Sequence, residues 1–239
     1  MIRALFAIVV ACACVATPPV EGVAVAQDGA RIAYDVRGAG EPALVFVHCW
    51  AGDRDFWREQ LDEFASDYRV VALDLGGHGE SDAHASPSLA VLAGDVTAVV
   101  DQLALERFVL IGHSLGGPVS LAAAAALRGR VIGVVGVETM HDVEMDVPRE
   151  RVEQMLAAFE ADYAGSMRGA VRAMLPERTP HELVEWITSR ACATDPSATL
   201  AIARALVGTD LPALLGGARV PVRGINSAGR PPFIPETSI

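Results

Sequence analysis

Positive charge is scarce in this chain. Nineteen Lys and Arg residues stand against thirty Asp and Glu, a net charge of −11. Phosphate backbones are gripped by basic faces, so this balance argues against a nucleic-acid partner. Apolar runs are short as well. Ala4 to Val15 is too brief for a spanning helix, and Pro18-Pro19 would stop one. Cysteine is limited to four residues, and two of those fall in the N-terminal segment. The remaining pair, Cys49 and Cys192, reads as unpaired small hydrophobes, although export would permit a disulfide. Histidines and cysteines lack the paired spacing of a ligand set, so no metal is expected. A Gly-rich phosphate loop is absent too, and no cofactor is implied. The chain shows no internal repeat.

What is present describes a globular protein. Hydrophobic residues make up 51% of 239 residues, enough for one substantial α/β domain with room for an insertion. Residues 1–19 read as a signal peptide or N-terminal anchor. Arg3 precedes the apolar run, and Cys14-Val15-Ala16 offers a small-residue cleavage site. A lipobox-like Val9-Val10-Ala11-Cys12 makes lipid attachment at Cys12 a variant of this reading. Either implies a secreted or envelope-associated protein, with membrane attachment only through the N-terminus.

Strand and helix patterns then alternate. Val23 to Ala26 and Arg31 to Val36 predict a hairpin turning at Asp28-Gly29. Ala43 to Val47 and Arg69 to Leu73 are continuous apolar runs, as in strands buried on both faces. A short helix is expected from Phe56 to Phe64. Ser88 is placed to cap a helix whose apolar stripe runs Leu89, Leu92, Val96, Val99, Val100 and Leu103. Phe108 to Ile111 and Val131 to Val137 are two further buried strands. The alternation predicts an α/β fold, a mostly parallel sheet with helices on both faces. Residues 20–140 form this core. From 141 to 215 helical patterns dominate and predict an inserted cap, with Met155, Leu156 and Phe159 as a packing stripe. Residues 216–239 read as the start of a C-terminal core segment containing a strand at Val220 to Ile225.

The chemistry centres on Gly112-His113-Ser114-Leu115-Gly116. A buried strand leads into it, and a helix is expected from near Pro118 to Leu127. That order is the setting of a nucleophile elbow, whose sharp turn lifts the serine hydroxyl off the sheet edge. The helix behind it favours negative charge at its N-terminus.

Residues 23–225 resemble the α/β-hydrolase superfamily. Three landmarks in order carry the likeness: His48-Cys49-Trp50, Asp74-Leu-Gly-Gly-His-Gly-Glu-Ser81, and Gly112-His-Ser-Leu-Gly116. The resemblance implies Ser114 as nucleophile, with the N–H groups of Leu115 and Trp50 as oxyanion donors. Cys49 stands where the family usually has glycine. Dehalogenase and epoxide-hydrolase branches carry aspartate at the elbow, so a serine argues against both. Ester, thioester, lactone or carbon–carbon bond cleavage and a perhydrolase side activity stay open, with ester cleavage of a small-molecule acyl substrate the broadest reading.

The rest of the family's pattern breaks. The acid normally follows the strand equivalent to Val220 to Ile225 and the base one strand later, yet Asn226 to Arg230 contains no carboxylate and no histidine follows His181. Three readings stay open: a chain that stops short of its base, a substitute base such as His141, or a hydrolase fold retained for binding. Glu138, at the end of the sixth strand, is the candidate acid, with Asp142 beside it. His48 is expected to order the oxyanion loop, His78 and His84 to be structural or solvated, and His113 to point away from the serine.

Overall fold

A computed structural model describes residues 20–141 and 148–227. The N-terminal segment 1–19, Asp142 and residues 228–239 lie outside the described residues. Seven strands form one sheet: β1 (Val20–Val25), β2 (Arg31–Arg37), β3 (Ala43–Val47), β4 (Val70–Leu73), β5 (Phe108–His113), β6 (Val131–Val137) and β7 (Val222–Ile225). Their spatial order is β1-β2-β4-β3-β5-β6-β7. β2 pairs antiparallel with both β1 and β4, and β4, β3, β5, β6 and β7 run parallel to one another. The hairpin turns where Asp28-Gly29 predicted it. Gly29 has φ +91, and the Asp28 carboxylate accepts from the Ala30 N–H at 3.1 Å.

Alternation along each central strand fills both faces of the sheet. Val45 and Val47 of β3 point into the larger core with Leu110 of β5. That face is covered by α2 (Leu89–Gln102), α3 (Gly116–Ala126) and α8 (Leu211–Ala218). Phe46 points the other way, toward Trp57 and Leu61 around α1 (Arg58–Phe64). Four stripe residues of α2 are completely buried: Leu92, Val96, Val99 and Val100. Ser88 caps the helix as expected, its hydroxyl accepting from Val91 N at 3.2 Å.

Between β6 and α8 lie the cap helices α4 (Arg149–Ala161), α5 (Tyr163–Met174), α6 (His181–Cys192) and α7 (Pro196–Ala205). They share a small apolar core of Leu156, Phe159, Met167, Val171 and Leu200, and Ala51 of the loop after β3 belongs to it. The cap therefore rests on that loop.

Four sequence expectations shift. The elbow helix begins at Gly116, not Pro118, because the backbone turns helical directly after the serine. The helix expected from Phe56 opens as a 3-10 turn, Arg54–Trp57, capped by the Asp53 carboxylate on Asp55 N. Met155 is exposed, while Leu156 and Phe159 carry the packing. The sequence reading missed α8, whose Leu-Pro-Ala-Leu-Leu-Gly-Gly-Ala run was hidden by its glycines; it packs on α3 rather than within the cap.

Candidate active site

Chain order reverses direction between β4 and β5, on either side of β3. The loops leaving the carboxyl ends of β3 and β5 therefore flank one crevice, where open α/β sheets bind ligands. The loop after β5 carries Ser114. Its φ of +50 is in the left-handed region, a conformation a non-glycine residue keeps only when its surroundings enforce it. The enforcement is visible. Ser114 N donates to Val137 O at 3.0 Å, while its carbonyl accepts from Gly117 N at 2.9 Å and from the Thr139 hydroxyl at 2.9 Å. A Cβ on Gly112 would lie 2.1 Å from Gly116 O, and one on Gly116 would lie 2.2 Å from Val47 O. Both neighbours are backbone, so neither glycine can be replaced without moving the turn.

The loop after β3 is held from below by two imidazoles. His48 is completely buried; its Nε2 accepts from Leu75 N at 2.9 Å, which leaves Nδ1 to donate to Cys49 O at 2.7 Å. His78 Nε2 accepts from Ala51 N at 3.2 Å. Burial pushes both rings down, His48 to about 4 and His78 to about 3, so both stay neutral acceptors. Ala51 is itself left-handed, at φ +56. Ala51 N is thus engaged by His78, and Gly52 N by Cys49 O at 3.0 Å. Among the described residues no hydrogen bond engages the N–H of Trp50 or of Leu115. The Cys49 thiol is pushed up to about 12 by burial, which keeps it protonated and inert.

The end of β6 closes the third side. Glu138 and Met140 are both left-handed, at φ +45 and +54. The Glu138 carboxylate accepts from the N–H and, at 3.2 Å, from the hydroxyl of Ser227. His141 Nε2 lies 3.4 Å from Glu138 Oε2, within ion-pair range but without hydrogen-bond geometry. Thr139 N donates to Asn226 Oδ1 at 3.1 Å. The other histidines are elsewhere. His113 packs edge-on to Trp57, on the α1 face, and burial lowers its pKa. His84 bridges Asp28 and Asp95 at 2.7 and 2.9 Å, and these carboxylates raise it to about 9. His181 is exposed on α6.

Glycines wedged against backbone, a left-handed serine between strand and helix, and two unengaged N–H groups recur together in one known architecture. A family profile described as alpha/beta hydrolase fold matches residues 42–197. The chain belongs to the α/β-hydrolase family. An esterase from Exiguobacterium antarcticum shares its fold with a TM-score of 0.80 at 21% identity, covering 86% of this chain and 80% of the esterase. Among curated relatives, the dihydrolipoyllysine-residue acetyltransferase component of the acetoin cleaving system of Cupriavidus necator is 41% identical over 108 residues, 45% of this chain and 29% of that protein. Epoxide hydrolase 4 of Mus musculus is 37% identical over 123 residues, 50% of this chain and 34% of its own length. The chain thus spans about a third of the length of these curated relatives.

Within this α/β-hydrolase site, Ser114, Trp50 and Leu115 stand on the two crevice loops, and Glu138 with His141 at the next strand end. Sequence reading missed Thr139, although its place next to Glu138 at the end of β6 was a usable signal. It also missed Arg190 and Thr199 of the cap, and no local pattern ties residues so distant in sequence to the β3 loop.

Proposed function

We propose that this chain is a serine hydrolase that cleaves an ester-type bond of a small acyl substrate through an acyl-enzyme on Ser114. The observation that carries the reading is the left-handed Ser114 locked at the elbow, together with N–H groups of Trp50 and Leu115 that donate to no partner among the described residues. The Ser114 Oγ attacks the acyl carbon while its proton passes to a base, and the carbonyl oxygen becomes an oxyanion. Those two N–H groups would receive it; losing one such donor costs about 2.7–4 kcal/mol of barrier. Collapse expels the alcohol, and water then releases the acid. Serine at the elbow favours this route over alkyl-enzyme chemistry on an aspartate, despite the epoxide hydrolase among the relatives.

Glu138 is the carboxylate in this reading, and His141 is the imidazole that the end of β6 sets beside it. Such a carboxylate orients the base and stabilises its charged form. Small esters turn over feebly with this pair, because Glu138 also serves Ser227. A second reading, a hydrolase fold used for binding, is favoured by one fact: among the described residues no imidazole is hydrogen-bonded to the Ser114 hydroxyl.

Mass spectrometry after exposure to p-nitrophenyl acetate tests the proposal. An acetyl group on the Ser114 peptide, slower to form in His141→Gln, supports acyl transfer with this base. Acetylation untouched by His141→Gln removes His141 from the mechanism. Folded protein that neither acetylates nor releases p-nitrophenol supports the binding reading.

A further inference from the structure

The loop that carries the Trp50 N–H is held from above as firmly as from below, and by the cap rather than the sheet. The Trp50 indole N–H donates to Thr199 O of α7 at 2.8 Å. Its ring meets Phe159 of α4 edge-on, with centroids 5.3 Å apart. Three residues on, buried Asp53 takes Arg190 of α6 on one carboxylate oxygen, from Nε and Nη2, both at 2.7 Å. Arg190 also reaches Asp55 at 2.9 Å. The hydrogen bond to Asp53 and the charge of both carboxylates raise the Arg190 pKa further, so the guanidinium stays charged. Ala51, between the two anchors, is buried in the cap's own core.

We propose that the cap is the positioning element of the oxyanion hole: Arg190 on Asp53, and the Thr199 carbonyl on the Trp50 indole, set where the Trp50 N–H points. This rests on the acyl-transfer reading of Ser114 and names its regulation. Charge-assisted contacts of this kind fix geometry more tightly than apolar packing alone. An oxyanion donor displaced by an ångström loses most of its worth, since preorganised hydrogen bonds act only at the distance where charge develops. The helices that hold this loop thereby bear on the rate of the chemical step and not only on affinity. Arg190, Asp53 and the Trp50 side chain are positioning residues, acting through the Trp50 backbone.

The test separates binding from chemistry. The full chain and its Arg190→Met, Arg190→Lys and Trp50→Phe variants are treated with an alkyl fluorophosphonate. The Ser114 Oγ–P bond forms, the P–F bond breaks, fluoride leaves and the hydroxyl proton goes to the base. The saturating rate of labelling and the half-saturating concentration are recorded, with amide exchange of the 48–55 segment on the same samples. The proposal expects Arg190→Met and Trp50→Phe to lower the saturating rate at least tenfold with little change in half-saturation. Exchange of the segment rises, and Arg190→Lys recovers part of the rate. A raised half-saturation at an unchanged rate would mean that the cap only binds, and would overturn the proposal. Faster exchange with unchanged labelling would overturn it too. Should one variant fail to fold, the other tests the same prediction. If folded wild-type protein does not label at all, the acyl-transfer reading fails instead, and the exchange data still show whether the cap holds the loop.

Discussion

Strain at single residues is concentrated where chemistry is expected. Ser114, Ala51, Glu138 and Met140 all have positive φ, and all four lie at the carboxyl ends of β3, β5 and β6. Each such residue costs on the order of 1–3 kcal/mol and persists only where surrounding bonds enforce it. Thr139 supplies one of those bonds to the elbow. Thr139→Val should cost about 1 kcal/mol of unfolding free energy in urea titration, the value of one lost hydrogen bond. The donor lost serves the Ser114 carbonyl, so labelling of Ser114 should slow as well. Gly116→Ala is the harsher change. Its new methyl would meet Val47 O at 2.2 Å, and overpacking against backbone costs about 1–3 kcal/mol or more. Folded Gly116→Ala protein with an unshifted midpoint would contradict the steric account.

Elements built from local signals were legible in the sequence. Ser88 capping α2 and the apolar runs of β3 and β4 announce themselves in a few consecutive residues. The elbow was legible because its chemistry dictates its spacing: small residues two before and two after the serine. Elements whose meaning lies in distant partners were not. Arg190 is an ordinary charge on an amphipathic helix until α6 folds onto Asp53, and Trp50 gives no hint that its indole seeks Thr199. His48 was legible as the group that orders the oxyanion loop and His78 only as structural or solvated, and the roles of both as neutral acceptors depend on burial. Replacing His78 by Phe removes the acceptor for Ala51 N and leaves a buried donor unpaired. That substitution should cost about 1–3 kcal/mol and loosen the 48–55 loop, seen as faster amide exchange there.

Across the whole molecule, histidine burial bounds the pH range of stability. His48 and His78 titrate near 4 and 3 in the fold, against about 6.5 in the unfolded chain. Their depressed values mean that protonation favours unfolding. The stability they permit is complete above pH 6.5 and is lost as pH falls toward 4 and below. His84 acts in the opposite sense. Held by Asp28 and Asp95, it titrates near 9, so its contribution is complete below pH 6.5 and is lost as pH rises through 9. Thermal unfolding across pH should therefore peak near 6.5 and decline on both sides, and His84→Gln should flatten only the alkaline limb. An alkaline limb unchanged in His84→Gln would remove His84 from that account.

Labelling of Ser114 by a fluorophosphonate, read by peptide mass spectrometry beside a Ser114→Ala control, tests the central claim most directly. The account predicts a single phosphonyl adduct on the peptide containing Ser114, absent from the control. Folded protein that stays unmodified, or modifies equally in Ser114→Ala, would contradict it.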